Sequence, residues 1–143
     1  MINEVVSAVC TALYNEFGCE VHKERIGQDL KEPCFMVECI SPDIEQTITN
    51  RKRHSYQFAI TFFPELDEPY KAINDTIERL YDSVGEISVE GDKVRGKDVS
   101  TAITDDVLTF TITYDFFMIT PDSEENMEDM ELKTTAKEAT DGG

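Results

Sequence analysis

Apolar residues recur at helical spacing in two segments of the chain. The first segment covers residues 3–17, where Asn3 is expected to cap the start and Gly18 to end the helix in a left-handed conformation. The second runs from about Glu68 to Val84, with a proline in its first turn and a glycine after its end. The residues predicted to face the core are Val5, Val6, Val9, Leu13 and Phe17 in the first helix and Ile73, Ile77, Leu80, Tyr81 and Val84 in the second.

Alternating apolar and polar positions predict strands elsewhere in the chain up to Thr120. The clearest pattern is in the final strand, where apolar residues alternate with threonines, so that one face is core and the other is polar. Its core positions are Leu108, Phe110, Ile112, Tyr114, Phe116 and Met118. The other predicted strands are Glu20–Glu24, Cys34–Ser41, Ser55–Phe63, Glu86–Glu90 and Val99–Thr104. The segments between them are predicted as a loop at 25–33, a polar excursion at 42–54, and turns at Gly91-Asp92 and Asp105-Asp106.

This order of elements predicts an α+β fold, in which a mostly antiparallel sheet of about five to seven strands carries two helices packed on one face. A chain of 143 residues is expected to form one such domain, over residues 1–120. Residues 121–143 differ in composition, because they hold eight acidic residues, two lysines and no aromatic side chain. They predict an acidic tail that is either flexible or ordered by a partner.

The charge of the chain narrows the classes of partner. With 30 acidic and 13 basic residues, the formal net charge is −17. Such a field repels nucleic acid phosphates and anionic lipid surfaces, so DNA binding is disfavoured as the main function, whereas a wall along which DNA slides is compatible. No segment has the length of a membrane span and the start lacks a signal-peptide pattern, which predicts a protein of the cytoplasm with no membrane partner.

No pattern in the sequence predicts a catalytic centre, a cofactor or a metal ion. The G-x-x-x-x-G-K match at Gly91–Lys97 continues with Asp98 where a phosphate-binding loop needs Ser or Thr, and a strand pattern follows it. Both histidines, His22 and His54, lie outside catalytic motifs, and the four cysteines include no C-x-x-C pair. The cysteines are predicted to be reduced, mostly buried thiols. An enzyme built on a Cys–His pair assembled by the fold stays open.

One basic cluster stands out in this acidic chain, formed by Arg51, Lys52 and Arg53. It is interpreted as a solubilising hairpin tip or as a docking site for an acidic neighbouring subunit such as a second copy of the chain, with DNA contact as a minor third alternative. The threonine face of the last strand is likewise either solvated or a subunit contact, and Tyr70 and Phe63 are candidate anchors for such a contact.

Short motifs follow one another along residues 1–120 in a recognisable order. They are Gln28-Asp29-Leu30-Lys31-Glu32-Pro33-Cys34-Phe35, Asn50-Arg51, Phe62-Phe63-Pro64, Asn74-Asp75-x-x-Glu78-Arg79-Leu80-Tyr81, Gly91-x-x-Val94-Arg95-Gly96 and Tyr114-Asp115-Phe116-Phe117. As an ordered set they resemble a family of phage tail terminator-like proteins of prophages in Gram-positive bacteria. Residues beyond Thr120 have no counterpart in this resemblance.

The resemblance implies a virion structural protein that forms a ring, typically of six subunits, on the last ring of the tail tube at its head-proximal end. Its implied partners are further copies of itself, the tail tube protein, and sheath and neck or head-connector proteins, with DNA only passing through the lumen. It implies no catalytic residues and no cofactor. Phage-tail-like bacteriocins, which have no head, carry related caps or collars, so the resemblance fits a headless particle as well as a phage. Two alternatives remain: another neck or tail-completion protein, and a soluble acidic inhibitor that mimics DNA.

Overall fold

The computed structural model describes residues 1–24, 31–47 and 50–119. The described chain forms two α-helices and a six-stranded sheet. The elements are α1 (Ile2–Phe17), β1 (Glu20–His22), β2 (Cys34–Gln46), β3 (Arg51–Phe63), α2 (Pro69–Val84), β4 (Glu86–Val89), β5 (Asp92–Thr104) and β6 (Val107–Ile119). The chain divides into a first unit, Met1–Asp43 with Ser55–Asp115, and a second unit, Ile44–His54 with the residues from Phe116 onward.

The strand order in the sheet is β1-β2-β3-β6-β5-β4. Strand β1 runs parallel to β2, whereas β5 is antiparallel to both β4 and β6. Helix α1 contacts α2, β1 and β4, and α2 also contacts β4. The predicted α+β class, with two helices and a sheet of about five to seven strands, is therefore confirmed. The predicted tail at 121–143 lies outside the described residues.

Both helices lie close to their predicted positions, but their ends differ in detail. The N-cap of α1 is Met1, whose ammonium group lies 3.1 Å from the Glu4 carboxylate, so the predicted Asn3 cap is wrong because the helix already includes Asn3. Gly18 adopts the predicted left-handed conformation at φ 71°, and its N–H donates to the carbonyl of Tyr14. Gly85 ends α2 in a right-handed conformation instead, where a Cβ would lie 2.5 Å from the Tyr81 carbonyl oxygen.

Strands β2, β3 and β5 are longer than the hydrophobic pattern predicts. The predicted polar excursion at 42–54 is wrong, because β2 continues to Gln46 and β3 begins at Arg51. These strand ends are mostly exposed and polar, so they lack the alternation that marks a half-buried strand. Gly96 lies inside β5, where a Cβ would come within 2.3 Å of Ile112 Cδ1.

Two tight turns connect the strands at the C-terminal end of the sheet. Glu90 and Gly91 have φ angles of 51° and 88°, and Asp105 and Asp106 have angles of 52° and 61°. Two consecutive residues with positive φ form the turn type whose twist matches a two-stranded hairpin, and Gly, Asn and Asp tolerate it best. The second hairpin turn is confirmed as predicted, and the first is shifted by one residue towards the N-terminus.

The core of the first unit is built on one face of β6 and on the inner stripes of both helices. Its fully buried members include Val5, Val9, Leu13, Phe35, Tyr56, Phe58, Ile73, Leu80, Val84, Leu108, Phe110 and Tyr114. Tyr81, predicted as core, is half exposed, although its ring still packs edge-on against Phe110. The hydroxyl of Tyr114 donates to the carbonyl of Val84 at 2.6 Å. This bond satisfies a carbonyl in the last turn of α2 that has no partner within the helix.

We expect Tyr114→Phe to lower the free energy of unfolding by about 1–3 kcal/mol, because it leaves the buried Val84 carbonyl without a donor. Urea unfolding followed by circular dichroism measures the change. Tyr70→Phe, at an exposed tyrosine on the first turn of α2, is the matched control and should unfold like the wild type. Equal stability of the Tyr114 and Tyr70 variants would contradict a structural role for this bond.

Candidate interaction surface

The basic cluster Arg51, Lys52 and Arg53 opens strand β3, in the second unit. The backbone of Arg51 is fixed by hydrogen bonds from Gln46 and Thr47. The amide N–H and the Oγ1 hydroxyl of Thr47 both donate to the carbonyl of Arg51, at 3.0 and 2.8 Å. The side-chain amide of Gln46 lies 3.4 Å from the same oxygen. The cluster is therefore held at the start of a strand, and not on an irregular excursion.

Each arginine of the cluster has a partner within the second unit. The Arg51 guanidinium carbon lies 4.4 Å from the centre of the Phe117 ring, a cation–π contact. Arg53 Nη1 lies 3.5 Å from the Glu45 carboxylate. Lys52 between them is partly exposed. These contacts orient the two guanidinium groups, which reduces the side-chain freedom that a partner would otherwise have to restrict.

The second unit also exposes apolar side chains, of which Phe117 contacts the cluster through Arg51. Phe117, Ile119 and Ile44 are 52%, 70% and 50% exposed, although all three are large hydrophobic residues. Arginine and exposed aromatic side chains are enriched at protein interfaces. We call the set Ile44, Arg51, Lys52, Arg53, Phe117 and Ile119 the basic-apolar surface. The cations of this surface stand out in the sequence, whereas its apolar members are not singled out by the hydrophobic pattern.

A histidine and an aromatic ring stack beside this surface. His54 is 7% exposed, and its ring lies nearly parallel to Phe116 with the ring centres 5.3 Å apart. Burial lowers the pKa of His54, and the positive charge of Lys52 lowers it further. His54 is thus a packed side chain whose protonation is disfavoured. Phe116, predicted as a core residue of β6, is half buried in this stack.

The other sequence features considered for catalysis or phosphate binding lie in the first unit. Gly91–Lys97, the G-x-x-x-x-G-K match, forms the β4–β5 turn and the first half of β5, with no helix after it to hold a phosphate. His22 Nε2 lies 3.2 Å from the Glu20 carboxylate. All four cysteines are free, and burial raises the pKa of each thiol, which disfavours the thiolate needed for nucleophilic attack.

Three further observations concern metal ions, membranes and cavities. Within residues 1–24, 31–47 and 50–119, no three His, Cys, Asp or Glu side chains are grouped so that they could hold a metal ion. In the same ranges, neither helix has the length and apolar character needed to cross a bilayer. A groove of about 570 Å³ lies in the first unit, lined by Asn3, Val6, Ser7, Lys23, Glu24, Val37, Glu38 and Cys39.

Comparison with known proteins identifies the class of the chain. A family model described as "Phage tail terminator protein" matches residues 4–126. Since this match covers most of the sequence, the chain belongs to the phage tail terminator family. It is accordingly a structural protein associated with phage tails and has a role in tail completion. This role implies interaction with other tail components.

Other comparisons add little to this assignment. No curated protein matched the sequence. One solved structure is similar with a TM-score of 0.43 and 14% identity, over 87% of this chain and 99% of the other. A similarity at that level carries no functional information.

We expect the folded protein to lose stability as the pH falls from 7.5 through about 6.5, the ordinary pKa of histidine, to 5.5. In that range the unfolded chain binds a proton at His54, whereas the folded chain resists it because burial lowers the pKa of His54. His54→Phe keeps a stacked ring and removes the contribution of His54 to the pH dependence. Urea unfolding of both proteins at pH 5.5 and 7.5 measures that contribution, because the carboxylates titrate in both proteins and their effect cancels in the comparison. An equal pH dependence in the two proteins would rule out His54 as the source.

Proposed function

We propose that the protein forms a ring, six subunits in number, that caps the head-proximal end of the tail tube. The ring ends tube growth and presents the surface to which a neck or head structure joins. The observation that carries this proposal is the family match over residues 4–126, which places nearly the whole described chain within a tail terminator protein. The proposed partners are further copies of the chain, the tail tube protein, and sheath and neck or head-connector proteins.

The charge of the chain supports this position. A cap on a tail tube has DNA passing through it, and a lumen that held the phosphates would slow that passage. The net charge of −17 disfavours phosphate binding. DNA is therefore a transient occupant of the proposed ring and not a ligand.

The basic-apolar surface is the proposed contact with a neighbouring subunit. Arg51, Lys52 and Arg53 carry positive charge in an otherwise acidic protein, so a second copy offers them a complementary acidic surface. Phe117 and Ile119 supply the apolar area that an interface of charges alone would lack. The proposed function needs no catalytic residue, and we propose that the protein is not an enzyme.

Deleting the gene should produce tails that are overlong, variable in length or unable to join heads, because nothing would then stop tube growth. Negative-stain electron microscopy of particles from cells with and without the gene measures this directly. Supplying the chain from a plasmid should restore uniform tail ends. Tails of normal length and normal ends in the deletion strain would refute the terminator function.

Replacing Arg51, Lys52 and Arg53 together by Gln should reduce the copies incorporated per tail at least several-fold, because the attraction to an acidic neighbour is lost. Incorporation of the wild type should fall as salt rises to 1 M, where the screening length is about 3 Å. Quantitative immunoblotting of purified tails at low and high salt measures both effects.

The matched control changes three other exposed lysines, Lys31, Lys71 and Lys93, to Gln and therefore removes the same charge. It should assemble like the wild type. If the cluster variant is incorporated normally at every salt concentration, the basic-apolar surface is not an assembly contact.

A further inference from the structure

The basic-apolar surface has an acidic counterpart further along the same chain. Residues 124–132, which lie outside the described residues, hold five acidic residues and no basic one. We call them the acidic segment. The cluster Arg51, Lys52 and Arg53 is the only place in the sequence where Lys or Arg residues are adjacent. The chain thus carries one concentrated run of positive charge and a concentrated segment of the opposite sign.

The acidic segment also carries apolar side chains that suit the apolar part of the surface. Its large apolar residues are Met127, Met130 and Leu132. On the surface, Phe117 and Ile119 are 52% and 70% exposed. Methionine is unbranched and makes favourable contacts with aromatic rings, so it adapts well to an exposed phenylalanine. The segment therefore matches the surface in both charge and apolar character.

The connection along the chain keeps the segment close to this surface. Strand β6 ends at Ile119, which is itself a member of the surface, and only residues 120–123 separate it from Glu124. The five chain steps from Ile119 to Glu124 reach at most about 18 Å. A short connection of this kind gives an effective concentration on the order of millimolar. An acidic patch on a separate molecule competes with the segment only when it is present at a similar concentration.

The cations are suited to bind carboxylates in addition to the contacts they already make. The Arg51 guanidinium carbon lies 4.4 Å from the centre of the Phe117 ring. A guanidinium group can attract an aromatic ring and also hold a carboxylate, because its N–H donors form a planar fork that matches the two carboxylate oxygens. Lys52, partly exposed beside it, adds a second positive charge.

We propose that the acidic segment docks on the basic-apolar surface of its own copy before assembly. A neighbouring subunit then has to displace the segment in order to reach the cations, so the surface is covered until a ring forms. This displacement step rests on the proposed function, whereas the docking itself does not. The family match ends at residue 126, so most of the segment lies beyond the part of the chain that the family model matches.

Carbodiimide cross-linking of the purified full-length protein tests the docking. The reagent joins a carboxylate to an amine where the two are in contact, and Lys52 supplies the amine of the basic-apolar surface. An equal mixture of unlabelled and isotope-labelled protein is treated and digested, and the linked peptides are identified by mass spectrometry. Lys52 should be linked to carboxylates of residues 124–132, with both peptides of each pair carrying the same isotope.

Lys71, an exposed lysine on α2, is the internal reference for this experiment. Its links to the acidic segment should be at least tenfold fewer than those of Lys52. Arg51→Gln combined with Phe117→Ser keeps Lys52 as the reporting amine and should reduce its links to the segment at least fivefold. Circular dichroism of the purified variant checks that it folds.

A matched control makes the same kinds of change at exposed residues elsewhere. Lys93→Gln combined with Tyr70→Ser also removes one positive charge and one exposed aromatic ring. This variant should give the same yield of links between Lys52 and the acidic segment as the wild type.

The reactivity of Lys52 provides a second measurement. Changing Glu124, Glu125 and Glu128 together to Gln should raise the rate at which Lys52 is acetylated, relative to Lys71, at least threefold, because the amine is then less covered. The control variant changes three exposed acidic residues elsewhere and alters the net charge equally, through Glu65→Gln, Asp67→Asn and Glu78→Gln. It should leave this relative rate unchanged.

Three outcomes would overturn the docking. They are links from Lys52 to the segment that are no more frequent than those from Lys71, an equal acetylation rate in the segment variant and its control, and linked peptides that mix the two isotopes at random. The last outcome would show that a second copy supplies the segment. All of these measurements use the free protein, so each leaves the terminator function standing if the deletion strain shows defective tails. Normal tails in that strain would refute the terminator function and leave the docking unaffected.

Discussion

Burial of one face of β6 is the constraint on which the first unit depends. Leu108, Phe110, Ile112 and Tyr114 are all 1% exposed or less, and the neighbouring elements adapt to them. Gly96 on β5 has no side chain because a Cβ would collide with Ile112. The end of α2 is tied to β6 by the Tyr114 hydroxyl, which donates to the Val84 carbonyl. An antiparallel strand buried on one face and polar on the other thus sets the position of both its neighbours and a helix.

The same sheet leaves its strand edges unequal. Among the described residues, β1 pairs with β2 only along Cys34–Met36, and β4 pairs with β5 only along Asp92–Arg95. Each long strand therefore continues beyond its short neighbour, and the edge of a sheet is where natural proteins have to manage further pairing. The chain belongs to a family of tail structural proteins, whose role includes contact with other tail components.

The candidate surface was only partly predictable. Three consecutive basic residues in a chain of net charge −17 are visible in any sequence, and Arg51, Lys52 and Arg53 do lie together at the start of β3. Their partners Glu45 and Phe117 come from other strands, and no local pattern connects them to the cluster. Phe117 lies at a position where the alternation of β6 predicts a polar residue, which was the one available signal of an exposed aromatic side chain.

The sequence by itself determined the α+β class, both helices, the Asp105-Asp106 turn and the core face of β6, because each rests on spacing between residues close in the chain. It also determined the likeness to tail terminator proteins, through the order of short motifs. Only the tertiary structure decided the lengths of β2, β3 and β5, the close approach of Gly96 to Ile112 and the stacking of His54 on Phe116. These depend on contacts between residues far apart in sequence, where polar strand ends are paired by backbone hydrogen bonds and leave no mark in the hydrophobic pattern.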